Sequence, residues 1–425
     1  MLTNNAFRLV SNLIMTRLLL PEAFGLMALM TSILFAFIML TDIGIRRSVV
    51  REPDGHTPHF LQAAWTVKVL RGAAIAAGVA VTGVLLWLFA PAIAPAGSLY
   101  ADPRLPGLVV LSSLSPFMAG AESANVELAM RKMENARITL LGIASKITSL
   151  IVMFALAMVC PTVWALMAGM LVSNLTSFVG SHIILPGPRM RFTRDPEISG
   201  RLWHYGKWLM GSSSFTFVAN TADKFILAGL LSPVGFGLYS IAQIWTEAGK
   251  VLIGRLSDAV GFPAVSEVLR NRPHDLPRVY RRFQLGIDAL CLAAFATTFF
   301  GGRLLIGLLY TDTYVEAGDY LHLLSVSFLV LRFEAQNGLV LNIGNSRAIM
   351  GISAIRGMAV CLLLPLGFWL GGIRGAILAI ALFPMLSVPY TMALVHPVLG
   401  WRQTRISLLW CLGIAMVALS FILLG

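Results

Sequence analysis

Leu18-Leu19-Leu20-Pro21-Glu22-Ala23-Phe24-Gly25-Leu26 returns 212 residues later as Leu230-Leu231-Ser232-Pro233-Val234-Gly235-Phe236-Gly237-Leu238, with six of nine positions identical. Each copy interrupts a long apolar run, and its Pro and Gly suit a tight turn between two helices. A turn explains either copy alone; it does not explain the same turn at two matched places. Reading outward from the copies, apolar runs suited to membrane helices cover 2–20, 24–45, 72–93, 106–128, 138–159, 162–185, 208–230, 237–262, 284–309, 319–342, 348–369, 374–395 and 406–424. Backbone amides in hydrocarbon must be satisfied within the segment, so such runs read as helices. No ten-residue alternation of the kind a barrel needs occurs. The predicted fold class is therefore all-α and polytopic, with about thirteen spans. Because an even number of spans separates the copies, the two halves share an orientation, which predicts two parallel six-helix bundles around a central cavity. The expected divisions are 1–195 for the first bundle, 196–400 for the second and 401–425 for an additional helix.

Composition supports lipid as the solvent: 57% of the 425 residues are apolar, 12% are charged and the mean hydropathy is +0.80. The net charge of +12 is accounted for by position rather than by nucleic acid. The second connector and every alternate one after it hold 21 of the 32 basic residues, among them Arg46, Arg47, Arg131, Arg189, Arg191, Arg194, Arg201 and Arg270. The opposite connectors hold only Arg17, Arg104, Arg303 and Arg374 at their edges. Short cytoplasmic loops retain Lys and Arg during insertion, so this alternation predicts a cytoplasmic N-terminus. A polybasic surface for anionic lipid head groups is a secondary expectation. Arg8 and Arg17 within the first run argue against a removable signal peptide. Cys160, Cys291, Cys361 and Cys411 stand singly without metal-ligand spacing, and His56 and His59 lack a third ligand, so neither a metal nor another cofactor is expected.

The stretch Arg8-Leu9-Val10-Ser11-Asn12-Leu13-Ile14-Met15-Thr16-Arg17, running on into the first turn, together with Asp42-Ile43-Gly44, resembles the polysaccharide transporter family, the Wzx-type flippases. These belong to the multidrug/oligosaccharidyl-lipid/polysaccharide superfamily. The resemblance follows span order over nearly the whole chain; the first fifty residues and the repeat carry its specific part. It implies transfer of undecaprenyl-diphosphate-linked repeat units from the cytoplasmic to the periplasmic leaflet of a bacterial inner membrane, for O-antigen, capsule or exopolysaccharide assembly. It also implies membrane lipids, a polysaccharide polymerase and export machinery as partners, and a transporter rather than an enzyme. Members often have fourteen spans and a longer N-terminus, whereas this sequence begins almost inside span 1 and stops after span 13.

With the loops set aside, seven basic residues remain inside spans: Arg8, Lys146, Lys224, Lys250, Arg255, Arg332 and Arg356. An ionisable group in hydrocarbon costs at least about 2.5–3.5 kcal/mol on insertion scales, so such groups face a cavity or a partner. A diphosphate calls for cations able to form charge-assisted bonds in a partly dry cavity. Arg8 and Lys224 are the first candidates, followed by Lys250, Arg255 and Arg332, with Asn12 and Asn220 as polar cavity residues on the stripes Asn5/Arg8/Asn12/Thr16 and Ser212/Ser213/Thr216/Asn220/Lys224. A plainer reading makes ion pairs of Asp223 with Lys224, Glu247 with Lys250 and Arg332 with Glu334. Asp42 and Asp258 are the candidates for a coupling proton or sodium ion, although pairing with arginines at the helix ends also accounts for them. Arg46 and Arg47 are expected at the cytoplasmic mouth. Two other functions compete. A cation-coupled drug or metabolite antiporter of the same superfamily would favour an acidic cavity, and an enzyme would need a large extramembrane loop or a clustered acid and metal site that the sequence lacks.

Overall fold

The computed structural model describes residues 2–342 and 346–424; it is helical throughout, with no strand among the described residues. In chain order the helices are α1 (Leu2–Met15), α2 (Pro21–Leu40), α3 (Ile45–Arg51), α4 (Pro58–Ile93), α5 (Arg104–Ser112), α6 (Leu114–Ala121), α7 (Asn125–Arg131), α8 (Asn135–Val159), α9 (Val163–Ile183), α10 (Pro196–Leu230), α11 (Pro233–Leu256), α12 (Phe262–Asn271), α13 (Leu276–Leu309), α14 (Ala317–Leu324), α15 (Val326–Asn342), α16 (Ser346–Leu382) and α17 (Val388–Leu424). Among the described residues six stretches are long and apolar enough to cross a membrane, and two bent helix pairs raise this to eight, which makes the chain a multi-pass membrane protein. One of the six, Ala348–Phe421, is broken by non-helical backbone at Gly371, Gly372 and Gly400, and so holds the last three predicted spans. Helix α1 has 14 residues, while α10 and α11 carry Asp223, Lys224, Glu247, Lys250 and Arg255 along their lengths.

Proline sets several of these starts. Pro21, Pro58 and Pro233 each open a helix, where a missing N–H costs nothing and the fixed φ is already helical. Thr57 caps α4 by accepting from the Phe60 amide at 3.3 Å, and Ser232 caps α11 by accepting from Gly235 at 3.2 Å.

The two copies of the repeated turn meet each other. A Cβ built on Gly25 would lie 2.8 Å from the Pro233 carbonyl oxygen, and one on Gly237 would collide with the carbonyl of Pro21. The contact is reciprocal at the offset of 212, so each glycine is required by the backbone of the other copy's proline. The same offset reappears where it was not sought: α5 and α6 are separated at Ser113, and α14 and α15 at Ser325. Serine hydroxyls bonded back along the helix mark both places, Ser112 Oγ donating to the Val109 carbonyl at 2.7 Å and Ser325 Oγ to that of His322 at 2.6 Å. The predicted span 106–128 is thus three helices, with a 54° bend between α6 and α7, and 319–342 is two, bent by 44°.

The chain divides into two compact units. The first comprises Met1–Phe217 with Ala228–Gly237, and the second Val218–Leu227 with Leu238–Gly425. At the basic-rich end of the first, Val49 of α3, Phe60, Leu61 and Ala64 of α4, Leu128 of α7 and Leu202 of α10 form one core. In the second, Val265, Leu276, Tyr280, Leu339, Ala348 and Leu399 form another.

Candidate functional site

One rule of helix geometry sorts the three ion pairs expected from sequence. Residues three or four apart share a helix face; neighbours one or two apart do not. Glu247 and Lys250, three apart, do pair, at 3.2 Å. Asp223 and Lys224 do not: Asp223 Oδ2 accepts instead from the Tyr239 hydroxyl at 2.7 Å and from Gln243 Nε2 at 3.2 Å. Arg332 and Glu334 do not pair either. Glu334 takes Arg356, at 3.3 Å, and Arg356 also donates to Ser387 Oγ, while Arg332 turns to Asp288 on α13, its Nε 3.3 Å from Oδ1. Both expected pairs are corrected for the same reason.

The corrections change which cations remain. Lys224 and Arg255 are half-buried, and among the described residues neither has a carboxylate within ion-pair distance or a hydrogen-bonding partner. Lys224 lies six residues before the end of α10 and Arg255 twenty-two after the start of α11. At a rise of about 1.5 Å per residue they stand roughly 9 Å and 33 Å along their helices from the shared turn. Lys250, half-buried and paired, stands between them on α11. Arg332 is fully buried, and its guanidinium lies 4.8 Å from the centre of the Trp410 ring. Its place is inside the packed second unit, so its candidacy as a cavity cation is withdrawn.

The other candidates are placed as follows. The backbone of Arg8 belongs to α1, but its side chain lies outside the described residues, as do those of Asn5 and Ser212. Asn12 is half-buried and Asn220 exposed, while Thr16 at the end of the first polar stripe is buried and donates to the Leu13 carbonyl. Asp42 Oδ1 accepts from the Gly44 amide at 3.0 Å, closing the turn from α2 into α3. Asp258 is exposed in a five-residue π-helical turn after α11. Arg46 and Arg47 are exposed in the first turn of α3.

Sequence reading missed a polar chain in the second unit. The Tyr280 hydroxyl donates to Gln284 Oε1 at 2.8 Å, Gln284 Nε2 donates to Asp288 Oδ1 at 2.9 Å, and Asp288 faces Arg332. The spacing of 280, 284 and 288 on one helical face was the available signal; Arg332 on another helix was not foreseeable from it. Several residues assigned to topology also do local work. Arg131 reaches the carbonyls of Val49, Val50, Glu52 and Pro53, closing the end of α3. Arg201 holds Asp54 at 2.8 Å, a bond that draws this half-buried carboxyl below its ordinary range. His59 binds Asp195 at 2.8 Å. At the opposite end Arg104 bridges Asp102, at 2.7 Å, and Glu22, at 3.0 Å. Burial pushes the Asp102 carboxyl up, but the bonds from Arg104 outweigh it and leave the group below the usual carboxylate range. Among the described residues no three His, Cys, Asp or Glu side chains gather as a metal site.

The family profile described as polysaccharide biosynthesis protein matches residues 14–319. No curated protein sequence matches the chain. Among solved structures, the lipid II flippase MurJ in an inward closed conformation is similar at a TM-score of 0.72 and 13% identity, over 99% of this chain and 93% of that one. An inward-facing multidrug resistance transporter of the MATE family and MOP superfamily is similar at 0.69 and 14% identity, over 95% of each chain. A MOP superfamily transporter from Pyrococcus furiosus, described as having reverse polarity of its binding pocket, is similar at 0.51 and 14% identity, over 95% of this chain and 92% of that one. At such identities the likeness is one of fold, and the fold is that of MOP superfamily transporters.

Proposed function

The chain belongs to the polysaccharide biosynthesis protein family, and we propose that within it this protein flips undecaprenyl-diphosphate-linked oligosaccharide repeat units from the cytoplasmic to the periplasmic leaflet of a bacterial inner membrane. The N-terminus is cytoplasmic in this reading, and the product feeds exopolysaccharide, capsule or O-antigen assembly. The observation that carries it is the pair of half-buried cations on α10 and α11, Lys224 and Arg255, without acid partners among the described residues. A group held charged in a low-dielectric span is costly unless a counter-charge arrives, and a diphosphate supplies one. Their separation along α10 and α11 gives the diphosphate successive stations across the slab, with Lys250 between. The likeness to a lipid II flippase supports a lipid-linked substrate.

The mechanism is alternating access between the two six-helix halves, with the sugar in a hydrophilic cavity and the lipid tail left in the bilayer. Ligand binding drives the exchange only to the extent that the cations hold the diphosphate differently in the two states. Arg8 completes the proposed cation set, Asn12 and Asn220 offer hydrogen bonds to sugar, and Arg46 and Arg47 guide the headgroup at the cytoplasmic mouth. Asp258 is the proposed carrier of a coupling proton or sodium ion; Asp42, occupied by its turn, is the weaker candidate.

The test is complementation of a strain lacking this gene with Lys224→Ala, Arg255→Ala and the double variant, with membrane levels measured alongside surface polysaccharide. Loss of polysaccharide at normal protein level is expected, with lipid-linked repeat units accumulating inside. Intact polysaccharide with altered drug sensitivity would instead identify a cation-coupled antiporter.

A further inference from the structure

The first unit contains a crevice of about 450 Å³ where α4, α6 and α9 meet the segment that follows α9. Trp65, Phe117, Phe178, His182 and Phe192 supply most of its wall. Its position is set by helix ends: Trp65 lies two turns into α4, while Ala121 and His182 are in the last turns of α6 and α9. The Trp65 indole N–H donates to the Ala121 carbonyl at 3.1 Å, and His182 Nε2 contacts the same oxygen at 3.0 Å. Aromatic groups with one polar tip belong at the level of lipid head groups. The crevice is open at the side, with Ile183 76% and Phe192 68% exposed.

Phe192 is the informative residue. It packs against Trp65 with ring centroids 4.9 Å apart, held there by its own segment: Gln62 Nε2 donates to the Arg189 carbonyl, and the Thr193 amide donates to Thr66 Oγ1. Arg189, Arg191 and Arg194 flank it in sequence, all exposed. Among the described residues none of the three has a carboxylate within ion-pair distance, and the adjoining Asp195 is engaged by His59 and by the amides of Glu197 and Ile198. An apolar slot beside a segment that carries exposed, unneutralised arginines complements a ligand with an apolar chain and a phosphate.

We propose that this crevice binds one anionic glycerophospholipid, an acyl chain lying among Trp65, Phe117, Phe178 and Phe192 and the phosphate meeting Arg191 and Arg194. A bilayer lipid is the occupant because the walls are apolar, two of them, Ile183 and Phe192, are exposed on the side of a multi-pass unit, and the adjoining segment is basic. The site is separate from the membrane cations Lys224 and Arg255, and does not depend on which substrate they carry. Bound there, the lipid pins the connector after α9 to the ends of α4 and α6.

Trp65 provides the readout. The full chain is reconstituted in phosphatidylcholine vesicles containing a minor fraction of either phosphatidylglycerol or phosphatidylcholine with brominated chains, and the Trp65 contribution is taken as the difference from Trp65→Phe. Brominated phosphatidylglycerol should quench this contribution well beyond brominated phosphatidylcholine. Arg191→Gln with Arg194→Gln should weaken the preference by roughly thirty-fold, from two interfacial charges. Phe192→Ala should reduce quenching by both lipids, and unchanged emission from the remaining tryptophans certifies folding. Equal quenching by the two lipids, or an arginine variant with undiminished preference, overturns the proposal. So does displacement of brominated phosphatidylglycerol by an equimolar amount of a polyprenyl phosphate, which would assign the crevice to a polyprenyl chain.

Discussion

Separating Arg332 from Asp288 should damage the second unit far more than removing both. Arg332 is fully buried, Asp288 nearly so, and their closest atoms are 3.3 Å apart. At an effective dielectric constant of about 20, Coulomb's law gives roughly 5 kcal/mol of attraction at that distance. Desolvation of the two ions opposes this by several kcal/mol each, so the pair as a whole contributes little net stability. Asp288→Asn nevertheless leaves a guanidinium buried whose nitrogens already lack hydrogen-bond acceptors among the described residues, and should cost about 3–5 kcal/mol. Arg332→Met should cost a similar amount by stranding the carboxylate, although the loss of stacking on Trp410 adds to it. Arg332→Met combined with Asp288→Asn should cost no more than either single variant, giving a coupling of at least about 3 kcal/mol in the double-mutant cycle. Thermal unfolding of the purified protein, followed by intrinsic fluorescence, is the assay. With about 2–4 °C per kcal/mol for a unit of this size, each single variant should melt roughly 10 °C low. Single variants that melt with the wild type, or a double variant showing the sum of their losses, would refute the pairing.

Gly237→Ala and Gly25→Ala should each lower the unfolding midpoint by an amount equivalent to about 1–3 kcal/mol, because a methyl group at either position strikes the backbone of the opposite proline. Gly229→Ala, which meets only the Tyr100 ring at 3.7 Å, serves as the tolerated control in the same melting experiment. The depressed Asp102 carboxyl predicts a stability contribution that is complete above the unfolded value near 4 and is lost as pH falls through the lower folded value. Melting wild type and Asp102→Asn from neutral pH down to about 3 should therefore show a gap that closes at the acid end.

The fold was legible because its signals are long or local. A run of twenty apolar residues has few alternatives to a helix, and Pro-Glu-Ala-Phe-Gly against Pro-Val-Gly-Phe-Gly exposes a duplication at the one place where backbone geometry leaves little choice of residue. The breaks inside the fourth and tenth spans were not read, since Ser112 and Ser325 sit within apolar sequence and a serine bonded back to its own helix resembles any other serine in a span. Of the candidate site, the membrane cations were legible as a set and their pairings only where both members lay on one helix face. Glu247 with Lys250 satisfied that condition, whereas Asp288 with Arg332 and Glu334 with Arg356 join helices whose contacts no spacing reveals.

Gly120 and Arg332 occupy equivalent places in the repeat, and so do Gly72 and Gln284, each pair being separated by the same 212 residues as the two turns. In the first unit α4 and α6 touch backbone to backbone: a Cβ on Gly72 would lie 2.8 Å from the Gly120 Cα, and one on Gly120 would lie 2.9 Å from the Lys68 carbonyl. At the corresponding crossing of α13 and α15 in the second unit, Arg332 meets Asp288, which accepts from Gln284. One helix pair is thus closed by the absence of side chains and the other is filled by a buried charge network. At their crossing the first pair meets through backbone alone; the second is held there by directional bonds that a change of charge or a small rotation would break. The two copies share the Pro and Gly of the turn and the Ser at the break, and differ in the chemistry between the helices. A repeated fold can therefore place different chemistry in its two halves, and here the second unit carries Lys224, Lys250 and Arg255, the charges on which proposed diphosphate recognition rests.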